Sequence, residues 1–193
     1  MTHPIIHQRL GFPRAWFMIV STLVFMGCSE TTEWENYPEG GQQAIEQGQY
    51  DKAERILTDA LQEVKQLAGH DPRQATTFQQ LGELYRRQGH YSKAERYFWQ
   101  AMPIWAETVG PAHPRMASSL TGIAQVYFAQ GKFSQAEPLF KRALLIREKS
   151  LDPHDPEIAI GLNDYAELLR QTNRPDQASK LEQRRIRILG HTP

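Results

Sequence analysis

Apolar residues recur every three or four positions along most of the chain, which is the spacing that lines one face of an α-helix. In the segment 115–130, for example, Leu120, Ile123 and Tyr127 share a face, and the small Ala124 on that face lets a neighbouring helix approach. The helices predicted in this way are 52–67, 73–88, 92–109, 115–130, 134–151, 157–171 and 176–189. The pattern therefore predicts an all-α protein built from pairs of helices.

The helix pairs repeat with a period close to 42 residues. Three markers carry the period: a turn residue within each pair, an alanine after that turn, and a proline between pairs. They are Gly48, Gly89, Gly131 and Asn173; Ala53, Ala94, Ala136 and Ala178; and Pro72, Pro114 and Pro156. Successive members of each set lie 41 or 42 residues apart. Independent markers with one period indicate an array of stacked helix pairs.

Each marker has a local structural role. Glycine and asparagine reach the left-handed backbone conformation that ends a helix, so the turn residues are predicted to close the first helix of each pair. The residue before each inter-pair proline is Asp71, His113 or Asp155, whose side chain can cap the next helix. The proline itself takes the first helical turn, where its missing N–H costs nothing.

The first and last pairs depart from the pattern. Gly40 and Gly41 stand where the other repeats have a large apolar residue followed by a small one, so the first helix, about 38–47, is predicted to be short or frayed. In the last pair, Glu182 and Arg185 replace a large apolar residue and an alanine. A terminal cap whose outer side meets water explains this change. A docking patch formed by the C-terminal arginines is the alternative.

The central pairs resemble a known family. The sequence Leu-Gly-Glu-Leu-Tyr at 81–85, followed by Ala94, Phe98 and Ala101, resembles the tetratricopeptide (TPR) signature. The longer period and the His-Pro loops resemble the kinesin-light-chain subclass of that family. The resemblance implies a right-handed, all-α solenoid of about four TPR-like repeats. These repeats are expected at about 39–70, 71–112, 113–154 and 155–189, followed by a tail at 190–193.

The resemblance also implies a concave groove lined by the first, or A, helix of each pair and facing away from the second, or B, helices. The implied groove residues are Gln79, Glu83 and Arg86, then Thr121, Gln125 and Phe128, then Asn163, Glu167 and Arg170. In kinesin-light-chain repeats an asparagine at the place of Asn163 holds a peptide backbone, which suits an amide because it both donates and accepts. Arg86 and Arg170 could bind acidic side chains or a terminal carboxylate. An ordinary solvated helix face is the alternative interpretation.

Residues 1–27 do not follow the helix-pair pattern. A basic segment without acids precedes the 12-residue apolar run 15–26, which is shorter than the roughly 20 residues that span a bilayer and has the length of a signal-peptide core. The run ends at Gly27 and Cys28, which resembles the lipobox of bacterial lipoproteins, although Phe25 and Met26 stand where Leu and then Ala or Ser are common. An uncleaved anchor and a buried core segment are the alternatives.

The lipobox resemblance implies a signal peptide at 1–27, a lipidated Cys28 and a tether at 28–38. Ser29 in place of aspartate implies export to the outer membrane of a diderm bacterium, where the domain would face the periplasm. Cys28 is the single cysteine, so the chain forms no internal disulfide and no cysteine-based zinc site.

The sequence contains no motif for catalysis or nucleotide binding. A glycine-rich phosphate loop, His-Glu-x-x-His and Gly-x-Ser-x-Gly are all absent, and the aromatic residues occupy core positions instead of a base-stacking platform. His70, His113 and His154 recur in the loops, but neighbouring loops lie on the order of 10 Å apart, too far to share one zinc ion. We therefore predict no enzyme activity, cofactor, metal site, small-molecule substrate or nucleic-acid partner.

The 22 basic and 22 acidic side chains cancel but are unevenly distributed. Residues 29–71 carry 10 acidic and 3 basic side chains, whereas residues 170–193 carry 6 basic and 2 acidic. Two solvated ends explain this, and a polar axis that orients a partner is the alternative. We expect a lipid-anchored scaffold that binds a peptide or helix of another protein in the bacterial envelope and assists assembly of a membrane or secretion complex. A self-associating structural protein and an accessory subunit of a cell-wall enzyme are the alternatives.

Overall fold

A computed structural model describes residues 36–65 and 71–190 and contains eight helices in those residues, with no strand. They are α1 (Asn36–Glu46), α2 (Tyr50–Lys65), α3 (Pro72–Arg87), α4 (Tyr91–Thr108), α5 (Pro114–Ala129), α6 (Phe133–Ser150), α7 (Pro156–Gln171) and α8 (Pro175–Leu189). The predicted all-α fold is confirmed, and α1 is short, as expected from its two glycines.

The signal peptide, Cys28 and the tether as far as residue 35 lie outside the described residues, as do His70 and residues 191–193. The described residues belong to one compact unit that begins at Trp34. Within them, no helix combines the length and the apolar character needed to cross a membrane.

Local sequence sets the helix ends as predicted. The side chains of Asp71, His113 and Asp155 each accept a hydrogen bond from the backbone N–H two residues further on, at 2.8, 3.1 and 2.7 Å. The turn residues have the positive φ angles expected of them: Gly48 70°, Gly89 77°, Gly131 71° and Asn173 57°. The A helices α3, α5 and α7 therefore start at a capped Pro, and all four A helices end at a left-handed turn.

The helices pack in chain order. Each one contacts its partner within the pair most extensively and then the nearest helix of the next pair, while further contacts join α1 to α3 and α3 to α5. This succession of helix pairs, each packed on its neighbours, is the architecture of an α-solenoid.

Phe98 of α4 shows how closely neighbouring pairs approach. Its buried ring lies between Gly82 of α3 and Gly122 of α5. A Cβ atom added to Gly82 would lie 2.9 Å from the ring, and one added to Gly122 would lie 2.4 Å from it. Both backbones therefore contact the ring at a distance that only glycine permits. Gly82 is among the small residues that the sequence pattern predicts, whereas Gly122 is not.

A tyrosine–glutamate hydrogen bond crosses every junction between pairs in the described array. The tyrosine belongs to an A helix, and the glutamate belongs to the B helix of the pair before it. The bonds are Tyr85 to Glu54 at 2.6 Å, Tyr127 to Glu95 at 2.5 Å and Tyr165 to Glu137 at 3.1 Å. The bond to Glu95, together with burial, raises the pKa of Tyr127 to about 12, so this hydroxyl stays a donor at neutral pH. The three glutamates share one repeat position, which Ser179 occupies in α8. Tyr85 and Tyr127 also share a position, which Ala44 occupies in α1, whereas Tyr165 lies one turn earlier in its helix, at the position of Gly40 in α1.

Candidate functional site

We define the A-helix face as the side of α3, α5 and α7 that carries the nine predicted groove residues. Each helix contributes one residue to each of three rows. The rows are Gln79, Thr121 and Asn163; Glu83, Gln125 and Glu167; and Arg86, Phe128 and Arg170. The contacts of these side chains decide which of them a ligand can reach.

Two residues of the first row bind other parts of the protein. Gln79 donates from Nε2 to the carbonyl oxygen of Arg115 at 2.9 Å and to the hydroxyl of Ser119 at 2.8 Å, both on α5. Thr121 is buried, and its hydroxyl accepts a hydrogen bond from Arg147 of α6 at 3.0 Å. The expectation that the groove residues face away from the B helices therefore does not describe Thr121, because α6 covers it.

Glu83 pairs with two of the three arginines of α3, Arg86 and Arg87. Both of its oxygens accept hydrogen bonds from Arg86, at 2.7 Å each, and one also accepts from Arg87 at 2.6 Å. Burial on its own would raise the pKa of Glu83, but the bonds and charges of the two arginines outweigh it and hold the pKa below its usual value. An acidic ligand would have to displace this carboxylate before it could bind Arg86 bidentately.

Gln125 connects α5 to α7. Its Nε2 donates to Asp164 at 2.9 Å. Burial raises the pKa of Asp164, opposed by this hydrogen bond and by the charges of Arg147 and Arg86. The charge of Arg86 on α3 thus stabilises the ionised form of Asp164 on α7, although no hydrogen bond joins the two side chains in the described residues.

Arg170 is also paired within the protein. It forms ion pairs with Glu167 of its own helix and with Glu182 of α8. Between the two arginines of the third row lies Phe128, a half-buried ring that packs against Phe133 with centroids 5.5 Å apart and planes inclined by 58°. The third row thus offers a ligand one partly exposed aromatic ring, which lies between two arginines that already have carboxylate partners.

Asn163 is exposed, and its amide makes no hydrogen bond with any residue in the described ranges. One turn before it, Ile160 is 57% exposed. The equivalent residues Thr76 and Ser118 are polar and turn their hydroxyls to backbone carbonyls of their own helices. The sequence analysis did not identify Ile160. It could have been found from the sequence, because it is an apolar residue at a position that is polar in the two preceding repeats. Asn163 and Ile160 therefore form an accessible amide and apolar pair on α7.

Other features of the described residues lie away from the A-helix face. Surface hollows occur beside the α1–α2 turn, lined by 48–52 and 55, and beside the loop 109–114, where residues 150 and 151 also contribute. No group of three His, Cys, Asp or Glu side chains in the described chain is placed to hold a metal ion. Of the recurring loop histidines, His113 is the helix cap described above.

Comparison with known proteins supports the repeat assignment. The sequence profile of the family described as "Tetratricopeptide repeat" matches residues 41–107, 95–149 and 115–190. The curated proteins include none that matches this chain. Among solved structures, the chain is similar to BtubC (BKLC) from P. vanneervenii, with a TM-score of 0.73 and 22% identity, over 82% of this chain and 63% of that chain. It is also similar to the nearly identical TPR-like repeats of a Podosopora anserina kinesin-light-chain candidate, with a TM-score of 0.68 and 21% identity, over 82% of this chain and 76% of that chain.

The structural similarities establish the fold, and this chain spans less than two thirds of the length of the BtubC structure. The profile matches extend from residue 41 to residue 190, which is well over half of the sequence. Proteins with this repeat bind other proteins and are generally scaffolds without enzymatic activity. The chain belongs to the tetratricopeptide repeat family, and its structural neighbours are TPR proteins of the kinesin-light-chain type.

Proposed function

We propose that this protein is a scaffold that binds a short segment of another protein on its A-helix face, with the main contacts on α7. The observation that carries the proposal is the accessible pair Asn163 and Ile160. The amide of Asn163 can both donate to and accept from the backbone of a bound segment. Ile160 gives one side chain of that segment an apolar surface to cover.

The segment is proposed to be neutral or apolar where it crosses the face. Arg86 and Arg170, which could otherwise recruit carboxylates, already have carboxylate partners in their own helices. A ligand carboxylate would gain one ion pair and break another, so it would add little net affinity. Phe128 offers the centre of the segment an aromatic contact instead.

We further propose that the protein is held in the bacterial envelope by lipidation of Cys28, at the outer membrane and facing the periplasm. The support is the order of the N-terminal sequence: a basic segment, the apolar run, then Gly27 and Cys28. Anchoring would raise the local concentration of the scaffold for membrane partners. In this position the scaffold would assist the assembly of a membrane or secretion complex.

A crosslinking-coupled pull-down from solubilised envelopes tests the binding proposal. The wild type is compared with Asn163→Ala and Ile160→Ala, and with Leu145→Ala as a matched control, because Leu145 is a 48% exposed leucine on α6, a B helix. We expect a partner that is recovered with wild type and control and lost with both face variants. Equal recovery with all four proteins would contradict a role for α7. Cell-wall enzymes dominating the bound fraction would favour the accessory-subunit alternative.

The anchor is tested separately. Cys28→Ser should abolish incorporation of labelled palmitate and retention in the membrane fraction. Ser29→Asp should keep the label but move the protein to the inner membrane, as the lipoprotein resemblance implies. A Cys28→Ser protein that is still fully processed and still fractionates with membranes would show that the anchor proposal is wrong.

End-to-end self-association, the alternative, finds little support at the ends of the array. A junction of the described kind needs a glutamate and a tyrosine, but Ser179 stands at the glutamate position, and Gly40 and Ala44 stand at the two positions that tyrosine takes in the other A helices. If α1 of one copy packed on α8 of another as α5 packs on α4, Glu39 would stand at the position of Gly122 and Glu182 at the position of Phe98. The two carboxylates would then face each other. Sedimentation at low and high salt decides the matter, because a monomer at both would exclude a charge-driven assembly.

A further inference from the structure

The B helices α4 and α6 each present a row of side chains to the A helix that follows. In α6, the buried Leu144 lies 3.5 Å from the place where a Cβ atom on Gly161 of α7 would be. One turn further on, the buried Arg147 donates to Glu157 of α7 at 3.4 Å. The helix α7, which covers this row of α6, therefore contributes a small residue opposite Leu144 and a carboxylate opposite Arg147.

The same row exists on α8. We define the terminal row as Glu182, Arg185, Ile186 and Leu189. Ile186 takes the place of Leu144 but is 61% exposed, and Leu189, one turn on, is 42% exposed. Arg185 takes the place of the buried Ala143, and its Nε atom is buried with no acceptor among the described residues. The terminal row thus combines an exposed apolar side chain with a buried donor that lacks a partner.

We propose that the terminal row binds an acidic amphipathic helix of another protein, which packs on α8 as an A helix packs on the preceding B helix. The bound helix must place a small residue opposite Ile186, as Gly161 is placed opposite Leu144. A carboxylate on it would pair with the guanidinium of Arg185, and the Nε, which is buried without an acceptor, would gain one when the side chain turns toward the bound helix. A charged hydrogen bond of this kind is the strong type. This binding surface is separate from the A-helix face and does not depend on the function proposed for that face.

Charge selects the partner. In α8, four basic side chains outnumber two acidic ones. Arg184 is paired with Glu148 of α6 and Glu182 with Arg170 of α7, and these two outside partners cancel each other, so the surface keeps a net positive charge. An acidic helix is therefore attracted and a basic one is repelled. A second α8 would bring four more basic side chains to the same place. The α1 helix of a second copy would bring Glu39 against Glu182, as the register of the repeats requires. An acidic helix from a different protein fits the row better than either.

A suitable probe is a labelled peptide with the sequence of residues 156–171, held helical by a lactam bridge on its exposed side. This is α7 itself, an acidic amphipathic helix with three carboxylates, one arginine and the small residue Gly161. Its binding to the full chain is measured by fluorescence anisotropy. We expect saturable binding that Ile186→Glu weakens by about tenfold or more, because the substitution removes the apolar side chain that the bound peptide would cover. The control Leu145→Glu, at an exposed apolar residue of α6, should leave the affinity unchanged.

Arg185→Gln tests the charge requirement independently of Ile186. It should weaken binding of the acidic peptide but not of a matched peptide in which the three carboxylates are replaced by amides. If both peptides lose affinity equally, the arginine does not recognise a carboxylate and the acidic partner is excluded.

Three further results would overturn the proposal. Equal affinity of the peptide for wild type and Ile186→Glu would mean that it binds elsewhere, for example on α6 after displacing the chain's own α7. An absence of binding up to about 1 mM peptide would mean that the terminal row accepts no such helix. Sedimentation of the chain alone supplies the second test. A dimer that Ile186→Glu dissociates would assign the terminal row to a second copy.

Discussion

Gly122→Ala is expected to destabilise the protein through one contact. The added Cβ would lie 2.4 Å from the ring of Phe98, whereas unstrained carbon–carbon contacts lie near 3.5–4.0 Å. The ring cannot move away freely, because the backbone at Gly82 approaches it from the other side. Overpacking of this kind costs about 1–3 kcal/mol, and replacing a helical glycine by alanine returns about 0.5–1 kcal/mol. The difference between these two ranges is a net loss of up to about 2.5 kcal/mol in the free energy of unfolding, with a central value of about 1 kcal/mol.

Gly161→Ala is the matched control. There the new Cβ would lie 3.4 Å from Nη1 of Arg147 and 3.5 Å from Cδ1 of Leu144, which are the ends of flexible side chains. The helix propensity of alanine should then dominate and stabilise the protein by up to about 1 kcal/mol. Urea unfolding of the full chain, followed by circular dichroism, measures both variants. A shift of both midpoints in the same direction would refute the reasoning.

The contact itself is isolated by a double variant. Phe98→Leu removes the ring atoms that the new methyl group meets, so Gly122→Ala should cost less in that background than in the wild type. Purely additive effects would show that the ring is not the obstacle.

Three further predictions use the same unfolding assay. Arg174 is the main cause that holds the pKa of Glu137 at about 2 instead of its ordinary 4.5, so this carboxylate stabilises the fold above pH 4.5 and loses its effect as the pH falls towards 2. Arg174→Gln should therefore lower stability near neutral pH, and a deficit that persists unchanged near pH 2 would contradict the ion pair. Asn173→Ala should cost about 1 kcal/mol because alanine is strained at positive φ, whereas Asn173→Gly should not. Tyr127→Phe leaves Glu95 without its hydrogen bond and should cost about 1–2 kcal/mol, and no change would show that water replaces the hydroxyl.

The features that the sequence predicted correctly are local ones. The caps at Asp71, His113 and Asp155 and the turns at the glycines depend on residues within four positions of one another, so their chemistry can be read without knowledge of the packing. The helix pairs follow from the same kind of information, because the period of the apolar residues determines both the helix type and the buried face.

The features that were missed depend on how one repeat meets the next. Gly122 is a glycine in one repeat only, and its role becomes visible once Phe98 is seen to pack against it. The tyrosine–glutamate bonds did carry a signal, since a glutamate directly follows the repeated alanine at Glu54, Glu95 and Glu137. A search for recurring polar positions, as well as apolar ones, would have found the glutamates but not their partners.

The contacts of the A-helix face explain why the proposed binding site lies on α7. A polar side chain on this face can bind the next A helix or a ligand, but not both at once. Gln79 binds α5 and Gln125 binds α7, whereas no A helix follows Asn163 in the described residues, and its amide stays exposed. Its availability therefore depends on its place in the array as much as on its being an asparagine. It follows that Gln79→Ala should weaken the junction between α3 and α5 but leave partner binding intact, while Asn163→Ala should do the reverse.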